Sequence, residues 1–572
     1  MHLTDEKIVK KPRRFYPEDL DINNCEVLER EMQALLDTPL PTPEALIEWM
    51  ERYSELGYII GDRMAWLYIK MTCHADDEEK EKAFNTFYAD IITPLKPYDF
   101  RVLKKFYDSP ARKLLSEATY AHLNRIISND IELFREENVP LQQQERELEN
   151  KFGNISGKMT VQYRGEEKTL KQMAVYQKDP DRAVREETWR LTISRVAEDA
   201  DQLDALFDEM RALRMQIARN AGFDNYRDYS HQSKGRFSYT PQDIFLFHDA
   251  VEKAVVPFVS ELNAHRKQVL GINTLRPWDK GVDLDGKILR PFKDSNELID
   301  KSLDILYRVK PSFAMQVAKM RNSGYLDLDN RKGKAPGGYN YGIEEEAASF
   351  IFMNSVGLHD DIVTFLHESG HASHNAAIGP RIPICFYRNT PSELAELASM
   401  SMELLTMDHW NIFYADPEDL KKAKREQLEG TLTFLPWCMT VDALQQWAYT
   451  NPKHTPKQRA DFFASLMDRF APDTDYTGLE KYKRMLWMRQ LHIFETPFYY
   501  IEYGISQLGA LAIYRNYRKE PQKAVEMYER FLQLGYTKPM NEVYEAAGIR
   551  FDFSEPYIRS LVDFVREELA AL

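Results

Sequence analysis

Apolar residues recur at spacings of three and four along most of this chain, the period of an amphipathic α-helix. The pattern runs through 24–37, 43–72, 79–91, 99–128, 183–222, 240–270, 294–323, 417–449, 456–470, 478–492, 499–518, 521–533 and 555–571. Strand-like signals are few. Met159–Leu170 reads as a hairpin turning at Arg164-Gly165, and 349–354 reads as a short strand. The pattern therefore predicts a mainly α protein with a few short β-strands. No internal repeat or low-complexity segment interrupts it. A boundary is expected near the hairpin, dividing an N-terminal helical region, 1–165, from a larger region, 166–572, with the two forming one continuous structural unit.

Composition adds limits. With 572 residues, 43% of them hydrophobic, the chain can bury a sizeable core. Its 75 basic and 90 acidic residues give a net charge of −15, which argues against nucleic acid as the main partner. The charge runs Asp76–Glu81 and Glu145–Glu149 read as solvated helix faces or helix ends. No stretch has the length and apolarity of a transmembrane helix, and Met1–Lys7 lacks the form of a signal peptide. Cys25, Cys73, Cys385 and Cys438 have no CxxC spacing and suit free thiols in a reducing compartment, so a cytoplasmic location is expected.

The chemistry concentrates in His367-Glu368-Ser369-Gly370-His371. Histidines at i and i+4 on a helix share a face and can reach one metal ion. Glu368, about 100° round the helix, can take a proton from a water beside that ion. Asp360 and Asp361 supply acidic residues for the helix N-terminus, Ile362–Leu366 its apolar run, and Gly379-Pro380 its stop. Gly370 costs such a helix about 1 kcal/mol relative to Ala, a reasonable exchange if another element must pass close by.

Hydrolytic zinc normally takes three protein ligands and keeps one position for water. A metzincin third histidine would fall at 377, which is Ala377, and a thermolysin-like glutamate would fall at Pro391. The next acidic residues are Glu393 and Glu396, on a helix that begins around Pro391 and runs past Met407. Glu396 and Glu403 are seven residues apart and share a face, which suits one ligand with an orienting carboxylate behind it. His374, on the stripe of His367, reads as structural or as support behind the ligands. His359 reads as a surface or capping residue, and Cys385 has no base beside it.

The run His367–His374, followed by Glu396 and Glu403, resembles the oligoendopeptidase F, Pz-peptidase and thimet oligopeptidase family of zinc metallopeptidases. Gly333–Tyr339 and Ser349–Asn354 are similar to that family's glycine loop and cleft-edge strand. His492, Pro497–Tyr500 and Tyr503 are similar to its His/Tyr segment. The resemblance covers about residues 170 to 565 and departs at Asn340, where relatives often carry cysteine. It implies a zincin-type site in a large elongated helical body with a deep cleft. It also implies one Zn²⁺ per chain on His367, His371 and Glu396, and short unfolded peptides as substrates. His492, Tyr499, Tyr500 and Tyr503 would then serve the substrate, with Tyr503 the first choice as donor to the oxyanion.

The glycine loop lacks the GK[ST] ending of a phosphate-binding loop and precedes a strand. Its backbone at Gly337 and Gly338 is expected to lie against a peptide, with strand 349–354 pairing to it through main-chain hydrogen bonds. The expected activity is zinc-dependent cleavage of internal peptide bonds, Glu368 acting as base and then as acid to the leaving amine. A carboxypeptidase or dipeptidyl carboxypeptidase, or a non-catalytic peptide-binding scaffold, are the alternatives. Oligomeric state stays open between monomer and dimer.

Overall fold

The computed structural model describes residues 3–379 and 381–572; Pro380, part of the expected helix stop, lies outside them. Helices dominate, and the described residues include five short strands in two sheets. The chain folds as two units, each built from separate stretches of sequence. The first comprises the residues up to Glu132, Leu289–Lys424 and Ser506–Phe551; the second comprises Leu133–Ile288, Arg425–Ile505 and Asp552–Leu572. The division expected at 165/166 falls inside the hairpin of the second unit, between strands β1 (Thr160–Tyr163) and β2 (Glu166–Thr169), which bond to each other. Both turn residues take positive φ, 53° at Arg164 and 80° at Gly165, the turn that matches the strands' twist.

Local chemistry sets the helix limits. Pro43–Cys73 starts with Thr42 accepting from the Ala45 N–H, with proline in the first turn, and buries Leu46, Trp49, Met50, Leu56 and Ile59. Pro241–Leu270 starts with a Thr240–Asp243 capping box and ends on Gly271 at φ 64°.

Where one long helix is expected, proline often divides it. The 99–128 stretch becomes Thr93–Asp108 and Glu117–Leu133, because Pro110 holds Ser109 extended. Pro311 does the same to Lys310 within 294–323. The 478–492 stretch forms only short turns, Glu480–Lys483, Leu486–Arg489 and Leu491–Glu495. Helix Asn138–Gly157 was not legible from its weak apolar pattern. Its charge run is not wholly solvated: Glu145 Oε1 lies 2.5 Å from Nε of Arg214, a fully buried guanidinium that also donates to the Tyr449 hydroxyl. The carboxylate is there because a buried charge needs a partner.

The first unit holds the sheet that matters here. Its order is β3 (Leu326–Asp329), β5 (Ala348–Ser355), β4 (Tyr339–Ile343), with β5 parallel to β3 and antiparallel to β4. The expected strand 349–354 is thus the central one, paired on both sides, and has no edge to offer a peptide. β3 and β4 are the edge strands. The sequence concealed β4 as loop because Asn340 and Gly342 are poor strand formers, and pairing with β5 decides its conformation. Alternation then sorts its side chains. Tyr339, Tyr341 and Ile343 pack with Phe350 and Phe352 against Ala65, Ile69 and Cys73 of helix 43–73, while Asn340 and Gly342 face the other way.

The loop into β4 is held by Lys334, whose side chain is fully buried. Its ammonium donates to Asp327 O, Asp327 Oδ1 and Asp329 O at 2.9 Å each, and to Met353 O. Every proton is consumed, which closes the phosphate reading of this loop by geometry. Gly333 takes φ +79°, a conformation that favours glycine, and a Cβ there would also displace the Asp76 carboxylate, 2.4–2.6 Å away. Replacing Lys334 with Met should lower stability by about 2 kcal/mol, since it takes a donor from three carbonyls and leaves the Asp327 carboxylate with Arg331 as its remaining cation. A urea midpoint unchanged from wild type would contradict this account, as would unaltered amide exchange over residues 333–338.

Candidate metal centre

Helix His359–Ile378 carries the HExxH motif and helix Ser392–Thr406 carries Glu396; both lie in the first unit. The motif helix starts where Asp361 accepts the N–H groups of Val356 and Leu358, at 2.9 and 2.8 Å. Ile362, Phe365, Leu366 and Ala372 are fully buried along it. Pro391 stands just before the first turn of the second helix, as its N-cap.

The two helices meet at Gly370. A Cβ built there would lie 2.6 Å from Ser399 Cα, 2.8 Å from Ala398 O and 3.1 Å from Met402 Cβ. These are backbone-fixed atoms, so the contact depends on a missing side chain. The second helix is backed in turn by residues far along the chain. Ser506 Oγ and Tyr544 Oη donate to Glu393 O, Tyr528 Oη donates to Ala398 O, and Gly509 gives room to Leu397.

This packing gathers His367, His371 and Glu396, with one donor atom from each within 4.8 Å of the others. Glu396 Oε2 is 3.3 Å from His367 Nε2 and 3.8 Å from His371 Nε2. On its far side His367 Nδ1 donates to Glu403 Oε1 at 2.7 Å, which fixes the ring and turns Nε2 toward the group. Two imidazole nitrogens and one carboxylate oxygen are a donor set that suits zinc.

Burial shapes the electrostatics. It works against charge on His367, but hydrogen bonds to Glu396 and Glu403 outweigh it and hold that imidazole well above its ordinary pKa. His371 is pushed down to about 4 by burial and by neighbouring His367. Glu368 is raised to about 7, first by burial and then by the nearby Glu396 and Glu403, against the pull of His367. It is 7% exposed and its Oε2 has no hydrogen-bond partner. A buried, unpartnered carboxyl oxygen beside three convergent donors can receive a proton from a molecule in the site.

The other expected residues fall as follows. His374 is buried against Phe531, with rings 5.6 Å apart. His359 is neither on the surface nor a cap: it is the first helical residue, buried, with Nδ1 2.8 Å from the Tyr414 hydroxyl and its ring against Trp410. Nothing in the sequence placed those aromatics above it. The Cys385 thiol is pushed up to about 11 by burial, unsuited to nucleophilic work. Gly337 has φ +101° and needs glycine, while Gly338 has only 3.3 Å between its Cβ position and Phe352 O.

His492, Tyr499, Tyr500 and Tyr503 belong to the second unit and form a group of their own there. The His492 ring is 4.8 Å from Tyr500, 6.0 Å from Tyr499 and 6.1 Å from Tyr503. Sequence reading missed what orients them. Trp437 Nε1 donates to Gln490 Oε1 at 3.0 Å, and Gln490 Nε2 donates to His492 Nδ1 at 2.6 Å, leaving the imidazole's proton on Nε2. Arg236 donates to Phe498 O and, at 2.6 Å, to Glu502; Phe498 itself sits at φ 63°.

The model of peptidase family M3 matches residues 175–563, and that of the M3 N-terminal domain matches residues 16–134. The chain belongs to peptidase family M3. This M3 protein is 24% identical over 299 residues to an oligoendopeptidase F homologue of Borreliella burgdorferi, a match covering 50% of this chain and 48% of that one. It is 22% identical over 307 residues to oligopeptidase PepF of Bacillus subtilis, covering 53% and 45%. The aligned stretches thus span about half the length of these curated relatives. Among solved structures, Pz peptidase A with an inhibitor is 26% identical, with a TM-score of 0.87 over 98% of this chain and 99% of that chain. No helix among the described residues of this M3 chain is long and apolar enough to cross a membrane.

Proposed function

We propose that the protein is a zinc-dependent oligoendopeptidase that hydrolyses internal bonds of short unfolded peptides. The observation that carries this reading is the convergence of His367, His371 and Glu396 beside the buried, unpartnered Glu368 oxygen. These three residues would hold one Zn²⁺ per chain. Zinc there would polarise the scissile carbonyl and lower the pKa of water from about 15.7 towards 7. Glu368 takes the proton of the attacking water and gives it to the leaving amine. Glu403 keeps the His367 ring turned to the group through its 2.7 Å bond. An extended peptide is proposed to add along edge strand β4, led in by Gly337 and Gly338, through main-chain bonds that accept many sequences. From the family resemblance, His492, Tyr499, Tyr500 and Tyr503 are proposed as substrate residues, Tyr503 first as donor to the carbonyl oxygen as it gains charge. The four free cysteines agree with a cytoplasmic location.

The test is a quenched fluorescent peptide with an amidated C-terminus. Internal cleavage, lost with a chelator and restored by added zinc, is expected. Cleavage only of peptides with a free carboxylate would favour the carboxypeptidase reading, and none at all, with zinc bound, the scaffold. Glu403→Ala should weaken zinc affinity by about 10- to 100-fold while the three donors remain. Competition with a chromophoric chelator measures this, and an unchanged affinity would remove Glu403 from the account.

A further inference from the structure

The carbonyl of Glu368 has an unusual partner. In an α-helix it already accepts from the amide four residues on. In this protein it also accepts from Nδ2 of Asn340, at 3.0 Å. Asn340 is the second residue of edge strand β4, so one side-chain amide joins the strand to the backbone of the residue proposed as base. A carbonyl oxygen has two lone pairs and accommodates both donors.

The surroundings make this bond a register device. Asn340 and Gly342 are the β4 positions that face away from helix 43–73, and the motif helix meets that face of the sheet through a second side-chain amide. Asn375 Nδ2 donates to Ser349 Oγ on central strand β5 at 2.9 Å. A Cβ at Gly342 would lie 3.1 Å from that same Asn375 nitrogen. The motif helix is therefore fastened to the sheet twice: once to the edge strand at Glu368, and once to the central strand two turns further along. Only the first fastening ties the base to the strand proposed to carry substrate.

The geometry points to Asn340 as a positioning residue, which sets the register between a peptide laid along β4 and the Glu368 carboxylate. This rests on the oligoendopeptidase reading above. Losing the bond leaves main-chain pairing to β4 intact, so ground-state binding stays. The alignment of the scissile carbonyl with the attacking water is what suffers, and a misplacement of about 1 Å there costs up to about a hundredfold in rate. The effect should fall on kcat and spare KM.

The experiment compares Asn340→Ala and Asn340→Leu with Asn375→Ala, measuring kcat, KM, zinc content and urea midpoint on a quenched fluorescent peptide. Both Asn340 variants should lose at least about tenfold in kcat with KM within about twofold, and keep one zinc per chain. Asn375→Ala should keep kcat within about twofold even if it lowers the midpoint, because β5 does not meet the peptide. The Leu variant retains side-chain volume and covers the case in which truncation to Ala disturbs folding. An unchanged kcat in either folded Asn340 variant overturns the proposal. So does an equal kcat loss in Asn375→Ala, which would mean general loosening, or a loss of zinc. If wild-type protein fails to cleave, the oligoendopeptidase reading itself falls and takes this one with it. If wild type cleaves and Glu368→Gln does not, failure belongs to Asn340 alone.

Discussion

Glu368→Gln is expected to lower kcat by about a thousandfold, some 4 kcal/mol, with zinc content unchanged. The substitution keeps shape and size but removes the ability to take a proton. Glu368 is not among the three gathered donors, so metal binding has no reason to suffer. Its Oε2 has no partner in the protein, so no structural hydrogen bond is lost there. Steady-state kinetics with zinc analysis reads both halves. A loss of less than about tenfold would show that another group takes the proton.

Gly370→Ala should be as damaging by a different route. In a helix interior alanine is favoured over glycine by about 1 kcal/mol. Here the added methyl would sit 2.6 Å from Ser399 Cα and 2.8 Å from Ala398 O. Neither is the tip of a flexible side chain, so the helices must separate, and overpacking of this kind costs about 1–3 kcal/mol. His367 and His371 stand on one helix and Glu396 on the other, so separation also spreads the donors. Zinc affinity should fall at least about tenfold, and the urea midpoint should drop. Gly57→Ala is the matching control: it lies in helix 43–73 of the same unit with nothing within 4 Å of its Cβ position, and should stabilise slightly. Similar behaviour of the two variants would refute the close-approach argument.

Much of the centre was legible because its parts repeat on one helical period. His367 and His371 are a turn apart, Glu396 and Glu403 two turns, and a shared face follows from spacing alone. Gly370 was readable as a site where another element passes close by, and helix Ser392–Thr406 is that element. What spacing cannot carry is a contact between elements. Asn340 meets Glu368 across 28 positions, and Gln490 orients His492 with help from Trp437, 53 positions back. Nothing in the spacing of the glycine loop shows that four oxygens from three other residues enclose Lys334. Strand β4 was misread for a related reason: its own residues argue for loop, and β5 overrules them.

The backing of the Glu396 helix bears on the order in which the protein is made. Ser506, Tyr528 and Tyr544 fasten carbonyls of that helix, and the first unit closes only with the segment Ser506–Phe551. The ribosome delivers those residues more than a hundred positions after Glu396 itself, and domains fold as units once their last segment is available. Between the synthesis of Glu396 and that of Ser506–Phe551, then, the nascent chain carries all three metal donors without the support that holds them in place. A chain with the activity proposed above would therefore gain its working centre only once its first unit has closed around the donors.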